Sequence, residues 1–361
     1  MKHISELERI LSQLLNWNKD RISCLVQILQ ALFCVKTVNL AQIANNFHTS
    51  AKQDSSYRRV RRFFKDFFFD MSIIVIVVLN LFIKDGKFTL LLDRTNWKWG
   101  QKHINILMLS VGYHGISIPL FWIVSDKGGN ASLDNRIELL IRAVKRFGIK
   151  RIEVLLADRE FVGSKWFEFL IRKKIPFVIR TKKNFKAGGI EPYRLVAIGK
   201  LLEKLGPKKK MLNYPILLWG QLIYVSIRLK NNAKEPMIVL SNYAFPKPID
   251  LYRKRWGIET LFSHLKTRGF RMEDTHLTCS KRIEKLLFIL AIAFCWALKT
   301  GEVQSKKIPI KIKKHGRKEK SIFRIGFDLI RSSISKVFYK FEDFLSLLLV
   351  LSPCISKEKF L

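Results

Sequence analysis

At Lys87 the apolar pattern of this chain changes period, and no other feature of the sequence limits its fold more. Upstream, apolar residues recur at helical spacing over 4–15 and 22–33, with turn residues clustered at 48–56. Downstream, 88–92, 104–111 and 116–124 are rich in β-branched and aromatic residues and are separated by turns such as Tyr113-His114-Gly115, which predicts three consecutive strands. A helix over 133–147, a strand over 152–156, a helix over 166–174 and a strand over 177–180 complete the order β-β-β-α-β-α-β. That order specifies an α/β fold of the ribonuclease H kind, a mixed sheet with helices packed on it.

The remaining segments divide the chain. Residues 1–83 read as an all-helical domain and 84–300 as the α/β domain. A β-rich insertion falls at about 181–249, where 221–229 and 236–240 form a hairpin around the turn-rich 230–235. Residues 301–361 read as a basic and helical C-terminal region, with Lys and Arg crowded into 306–320. Within 1–83, a short segment at 39–47 precedes a basic helix at 57–65 that carries Arg58, Arg59, Arg61 and Arg62. Two helices around a polar turn, the second basic, suit DNA docking; a helical bundle with a solvated basic face has the same pattern.

The charge favours a nucleic acid partner. Lys and Arg number 66 against 29 Asp and Glu, a net charge of +37. A hydrophobic fraction of 48% excludes disorder, so the charge belongs to a folded protein and its self-repulsion calls for a large anion. The longest apolar runs, 72–83 and 286–298, fall short of the about 20 residues that span a bilayer, so no membrane partner is expected. The first ten residues are too charged for a signal peptide. Cys24, Cys34, Cys279, Cys295 and Cys354 are odd in number and lie in apolar stretches. They read as reduced core thiols of a cytoplasmic protein, with no zinc-ligand spacing. No glycine loop followed by Lys-Ser/Thr is present, which argues against an ATP-driven motor. His264 reads as structural.

The carboxylates carry the chemistry. Asp93 closes the apolar run 88–92 and Asp158 closes 154–157, each placed where a sheet end presents ligands. Taken singly, either could be a turn-capping Asp. In 250–266, treated as one helix with Tyr252 at zero, Arg255 falls at about 300°, Glu259 at about 340° and Lys266 at about 320°. Ile258, Leu261, Phe262 and Leu265 form the adjoining apolar arc. Lys254 falls at about 200° within that arc, and Arg253 at about 100°, well away from the charged edge.

Tyr252, Arg255, Glu259 and Lys266, separated by two, three and six residues, resemble the Tyr-Arg-Glu-Lys signature of a group of bacterial insertion-sequence DDE transposases. Asp93-Arg-Thr-Asn-Trp97 and Ala157-Asp-Arg-Glu-Phe161 resemble that group's first and second catalytic blocks, and the likeness covers about 88–270. It implies a DNA transposase that binds terminal inverted repeats, cleaves the ends and joins them to target DNA, working as a homodimer on double-stranded DNA in the bacterial cytoplasm, at the nucleoid. Asp93, Asp158 and Glu259 would be catalytic and would hold two Mg²⁺ or Mn²⁺ ions, for which hard carboxylate oxygens are suited. The 101 positions between Asp158 and Glu259 leave room for the group's β-rich insertion. Tyr252, Arg255 and Lys266 would hold phosphates of the DNA end, and Trp256 would stack on a base or pack on a sugar. Trp219 is the candidate platform for a flipped base of the group's hairpin route, or else a core Trp of the insertion. Arg159 and Glu160 read as supporting or DNA-contacting residues, or as a charged loop. A structure-specific nuclease or resolvase could use the same carboxylates, and a silent DNA-binding regulator would need only the N-terminal helices.

Overall fold

The structure, a computed structural model, describes residues 2–83, 86–188, 195–205, 210–229, 235–314, 316–335 and 341–351. Three long antiparallel strands open the sheet: β1 (Phe88–Trp99), β2 (Lys102–Tyr113) and β3 (Ile116–Ser125). They turn at Gly100 and at His114-Gly115, all with positive φ. Next come α6 (Leu133–Phe147), β4 (Ile152–Ala157), α7 (Ser164–Arg172) and β5 (Phe177–Arg180), the order read from the sequence. β4 and β5 join the sheet parallel to β1. Ser132 starts α6 by accepting a hydrogen bond from the Asn135 N–H, and Gly148 ends it.

The insertion adds β6 (Lys186–Gly188), β7 (Leu195–Ala197), β8 (Lys210–Leu218), β9 (Gln221–Arg228) and β10 (Met237–Ser241). β9 and β10 form the expected antiparallel pair, while most of its turn, 230–234, lies outside the described residues. These strands continue the same sheet in the order β3-β2-β1-β4-β5-β10-β9-β8-β6-β7, ten strands among the described residues.

The helices upstream are α1 (Lys2–Leu14), α2 (Lys19–Val35), α3 (Leu40–Asn45), α4 (Gln53–Asp66) and α5 (Ile73–Phe82). Downstream are α8 (Pro248–Arg253), α9 (Trp256–Leu265), α10 (Ser280–Lys307), α11 (Ile322–Ser335) and α12 (Phe341–Leu349). Residues upstream of Lys87 share one continuous hydrophobic core with the sheet and with α10 and α11. Trp17 packs among Phe63, Phe67, Phe69 and Phe288, and Phe33 meets Phe270, Trp296 and Phe327 at ring distances of 5.1–5.8 Å.

α10 has 28 residues and is long and apolar enough to cross a bilayer, which the run 286–298 alone did not reveal. Here it is a core helix, with 83% of its most apolar stretch buried. It meets α11 closely through Gly301 and Gly326; a Cβ on Gly326 would collide with the Ala297 carbonyl oxygen. Cys24 and Cys295 are buried, but Cys279 is exposed at the start of α10, not in the core as its apolar neighbours implied; Cys354 lies outside the described residues.

Candidate active site

β1 and β4 pair in parallel with Leu92 opposite Ala157 as their last match, so the next residues, Asp93 and Asp158, stand at one level where that parallel pairing ends. There the chain paths diverge. β4 ends in a short 3-10 turn, Arg159–Phe161, whereas β1 runs on to Trp99 against β2. Asp93 is therefore inside a strand, not at its end, because the antiparallel hairpin outlasts the parallel pairing. The divergence still opens the sheet at the carboxyl ends of its parallel strands, where α/β sheets present ligands.

Glu259 comes from the other side of the cleft. α8 buries Ile249 and Tyr252 against Val154, Leu156, Val178 and Val239. α9 buries Ile258, Leu261, Phe262 and Leu265 and packs on β1, β2 and β3. Between them the backbone hydrogen bonds shorten by one residue: Arg255 N–H to Tyr252 O at 2.9 Å, Gly257 N–H to Lys254 O at 3.0 Å and Ile258 N–H to Arg255 O at 3.0 Å. The stretch 252–266 is thus two helices serving different parts of the sheet, and a single helical wheel does not describe it. Lys254 is exposed rather than within an apolar face, and Lys266 lies just past the end of α9. Gly257 sets the approach of α9, because a Cβ there would stand 2.9 Å from the Ile116 carbonyl carbon.

One guanidinium ties the carboxylates together. Arg255 donates through Nη1 to Asp93 Oδ2 at 2.8 Å and through Nη2 to Glu259 Oε1. The Tyr252 hydroxyl donates to Asp158 Oδ1 at 3.3 Å, and the Arg255 guanidinium lies 5.7 Å from the Tyr252 ring centre. Asp93 Oδ1 accepts the Arg94 backbone N–H at 2.8 Å. Burial pushes the Asp93 carboxyl up to about 6, against the opposing pull of Arg255 and that N–H. Burial also acts against the Arg255 charge, but Tyr252 and the three carboxylates outweigh it and hold the group protonated. The Tyr252 phenol is raised by burial and remains a donor.

The remaining candidate residues fall in different settings. Lys266 pairs with Glu273 at 2.6 Å, and Arg253 with Asp250 at 2.9 Å. Trp256 is 66% exposed beside the cleft. Trp219, at the β8–β9 turn with positive φ, is 44% exposed and meets Phe167 and Phe185 edge-on, so it is no core Trp. On α4, Arg58, Arg61 and Arg62 are exposed, while Arg59 donates to the Asp20 backbone oxygen at 3.2 Å. His264 is buried against Phe323, and burial lowers it to about 4, in keeping with a structural histidine.

Arg94 was not singled out from sequence. It grips Glu160 through Nε and Nη2 at 3.0–3.2 Å, fastening β1 to the turn that follows Asp158. The signal was the repeated Asp-Arg at 93–94 and 158–159, but nothing in it says which Arg turns inward.

The donor set suits a hard divalent cation, since Asp93 and Glu259 share Arg255 and Asp158, held by Tyr252, stands on the neighbouring strand. Among the described residues, however, no three acidic, His or Cys groups enclose a point where an ion would sit. The positive charge between Asp93 and Glu259 is Arg255 itself.

A family model described as Transposase DDE domain matches residues 84–296, more than half of the chain. No curated protein matches the chain.

Proposed function

Because the chain belongs to the transposase DDE domain family, we propose that it is the transposase of a bacterial insertion sequence, of the group with the Tyr-Arg-Glu-Lys signature. It binds the terminal inverted repeats as a dimer, cleaves the ends and joins them to target DNA. The observation that carries this reading is the convergence of Asp93, Asp158 and Glu259 on one cleft through Arg255 and Tyr252. Divalent metal, Mg²⁺ or Mn²⁺, would be held by these three carboxylates and would supply charge stabilisation to the attacking and leaving oxygens.

This chain's own residues do the rest. Asp93 must be ionised to serve as a ligand, and Arg255 must release it. The freed guanidinium is then within the cleft to receive a phosphate, for which its fork is suited. Tyr252 orients Asp158, and Gly257 keeps Glu259 close to the sheet. No nucleotide is needed, because strand transfer exchanges one phosphodiester for another.

The test is cleavage of a plasmid carrying the sequences that flank the gene, with Mg²⁺, by the wild type and by Asp93→Asn, Asp158→Asn and Glu259→Gln. Each variant keeps shape and loses a ligand charge, so each should bind the ends and fail to cut them. Normal nicking by any one would remove that residue from the site. Matching inverted repeats beside the gene, bounded by a short target duplication, would separate transposition from a resolvase or a silent regulator.

A further inference from the structure

The face of β1 that carries Asp93 continues well past the carboxylates. Side chains two apart on a strand share a face, so Asp93, Thr95, Trp97 and Trp99 form one row. At about 3.3 Å per residue, Trp99 stands about 20 Å along the strand from Asp93. The segment that follows α9 lies over the end of this row. Lys266 Nζ is 5.8 Å from the Trp97 ring centre, and the His276 ring stacks on Trp99 with centres 4.4 Å apart and planes inclined by 22°.

A lone exposed indole calls for no explanation. Trp99 differs in three respects. It is 40% exposed yet already stacked on a ring from another element, so much of the ordering cost of a further stack is met in advance. It shares the row of the candidate catalytic Asp93. On its own face the registered cross-strand partner is the exposed Lys102, and the segment above adds exposed Arg268 and Arg271. The acidic groups of that segment are engaged elsewhere, Glu273 by Lys266 and Asp274 by the Thr37 hydroxyl at 2.9 Å.

We propose that Trp99 and His276 form a stacking platform for a nucleobase of the DNA strand that enters the cleft. A stacked strand rises about 3.4 Å per nucleotide, so a span of about 20 Å places that base about six nucleotides from the reacting phosphate. Lys102, the cross-strand partner of Trp99, and Arg268 take the adjoining phosphates. The platform rests on the transposase reading, and it is separate from Trp256 and Trp219.

The experiment uses the full chain and two DNA probes, a duplex with a frayed end and a covalently closed circular duplex. Base stacking on an aromatic side chain is worth about five- to a hundred-fold in affinity, so Trp99→Ala should lose that much on the frayed probe and little on the closed one. Trp99→Phe should retain most of the wild-type affinity, and His276→Ala should fall between them. With 5-iodouracil moved one position at a time along the frayed strand, the photo-crosslink to Trp99 should peak near the sixth nucleotide. Wild-type affinity of Trp99→Ala for both probes would overturn the platform and leave the transposase reading standing. Equal losses on both probes would also overturn it, marking Trp99 as a support of the hairpin. A wild-type chain that binds neither probe would overturn the transposase reading together with the platform.

Discussion

Arg255 occupies the position of greatest leverage at the scale of single residues. Its side chain is 8% exposed and shared between two carboxylates, so Arg255→Ala leaves Asp93 and Glu259 without the cation that stands between them. Removing one partner from a buried pair costs about 3–5 kcal/mol. Glu259 is 35% exposed, which lowers the expectation to about 2–3 kcal/mol at neutral pH. Urea denaturation of metal-free protein measures it, and added Mg²⁺ should restore more stability to the variant than to the wild type. Asp93 gives a pH dependence of definite sign. Its folded pKa, about 6, is raised above the usual 3.8, so its contribution to metal-free stability is greatest below about 4 and is lost as pH rises through 6. Metal affinity runs the opposite way, because the ligand must be ionised. Mn²⁺ binding followed by paramagnetic resonance should weaken as pH falls from 7.5 to 5.5, and Asp93→Asn should flatten that dependence.

At the scale of elements, α4 separates two kinds of arginine that stand side by side in the sequence. Arg58, Arg61 and Arg62 face solvent while Val60, Phe63 and Phe64 are buried, and Arg59 leans on the first turn of α2 through the Asp20 backbone oxygen. Alanine at any of the three exposed positions should weaken DNA binding and reduce the salt slope by about 0.9 for each phosphate no longer neutralised. Arg59→Ala should lower the melting temperature instead, and a salt series run beside thermal denaturation distinguishes the two effects. The elements themselves were largely legible, because period and turn chemistry are local. Strands β2 to β5, the start of β1 and helices α6, α7 and the middle of α10 lie where alternation, helical spacing and glycine placed them. The site was legible only in part. Asp93, Asp158 and Glu259 stood out as charges ending apolar runs or repeating at helical intervals. Whether β1 ends at Asp93 or continues depends on which neighbour it pairs with longer, and the break between α8 and α9 depends on two helices packing over different strands. Both are long-range facts that no local window contains. The inward turn of Arg255, away from an open groove, has the same origin.

The whole molecule is held by packing that ignores the order of its parts. Trp17 and Phe33, upstream of the sheet, lie against Phe288 and Trp296 of α10, and α11 packs on α2. A fragment of residues 1–83 made alone would expose the faces of α2, α4 and α5 that α10 covers. Far-ultraviolet circular dichroism should show partial helix, and a heat scan should show no cooperative transition. A sharp transition would show that the fragment folds alone. The same shared core has a consequence for the lineage of the gene. On the transposase reading, an early stop codon near residue 83 would yield a short product that carries the candidate DNA-docking helices without the candidate carboxylates. Such a product would lack the walls of its own interior and should be open to proteolysis, so no stable competitor of the full chain is expected from it.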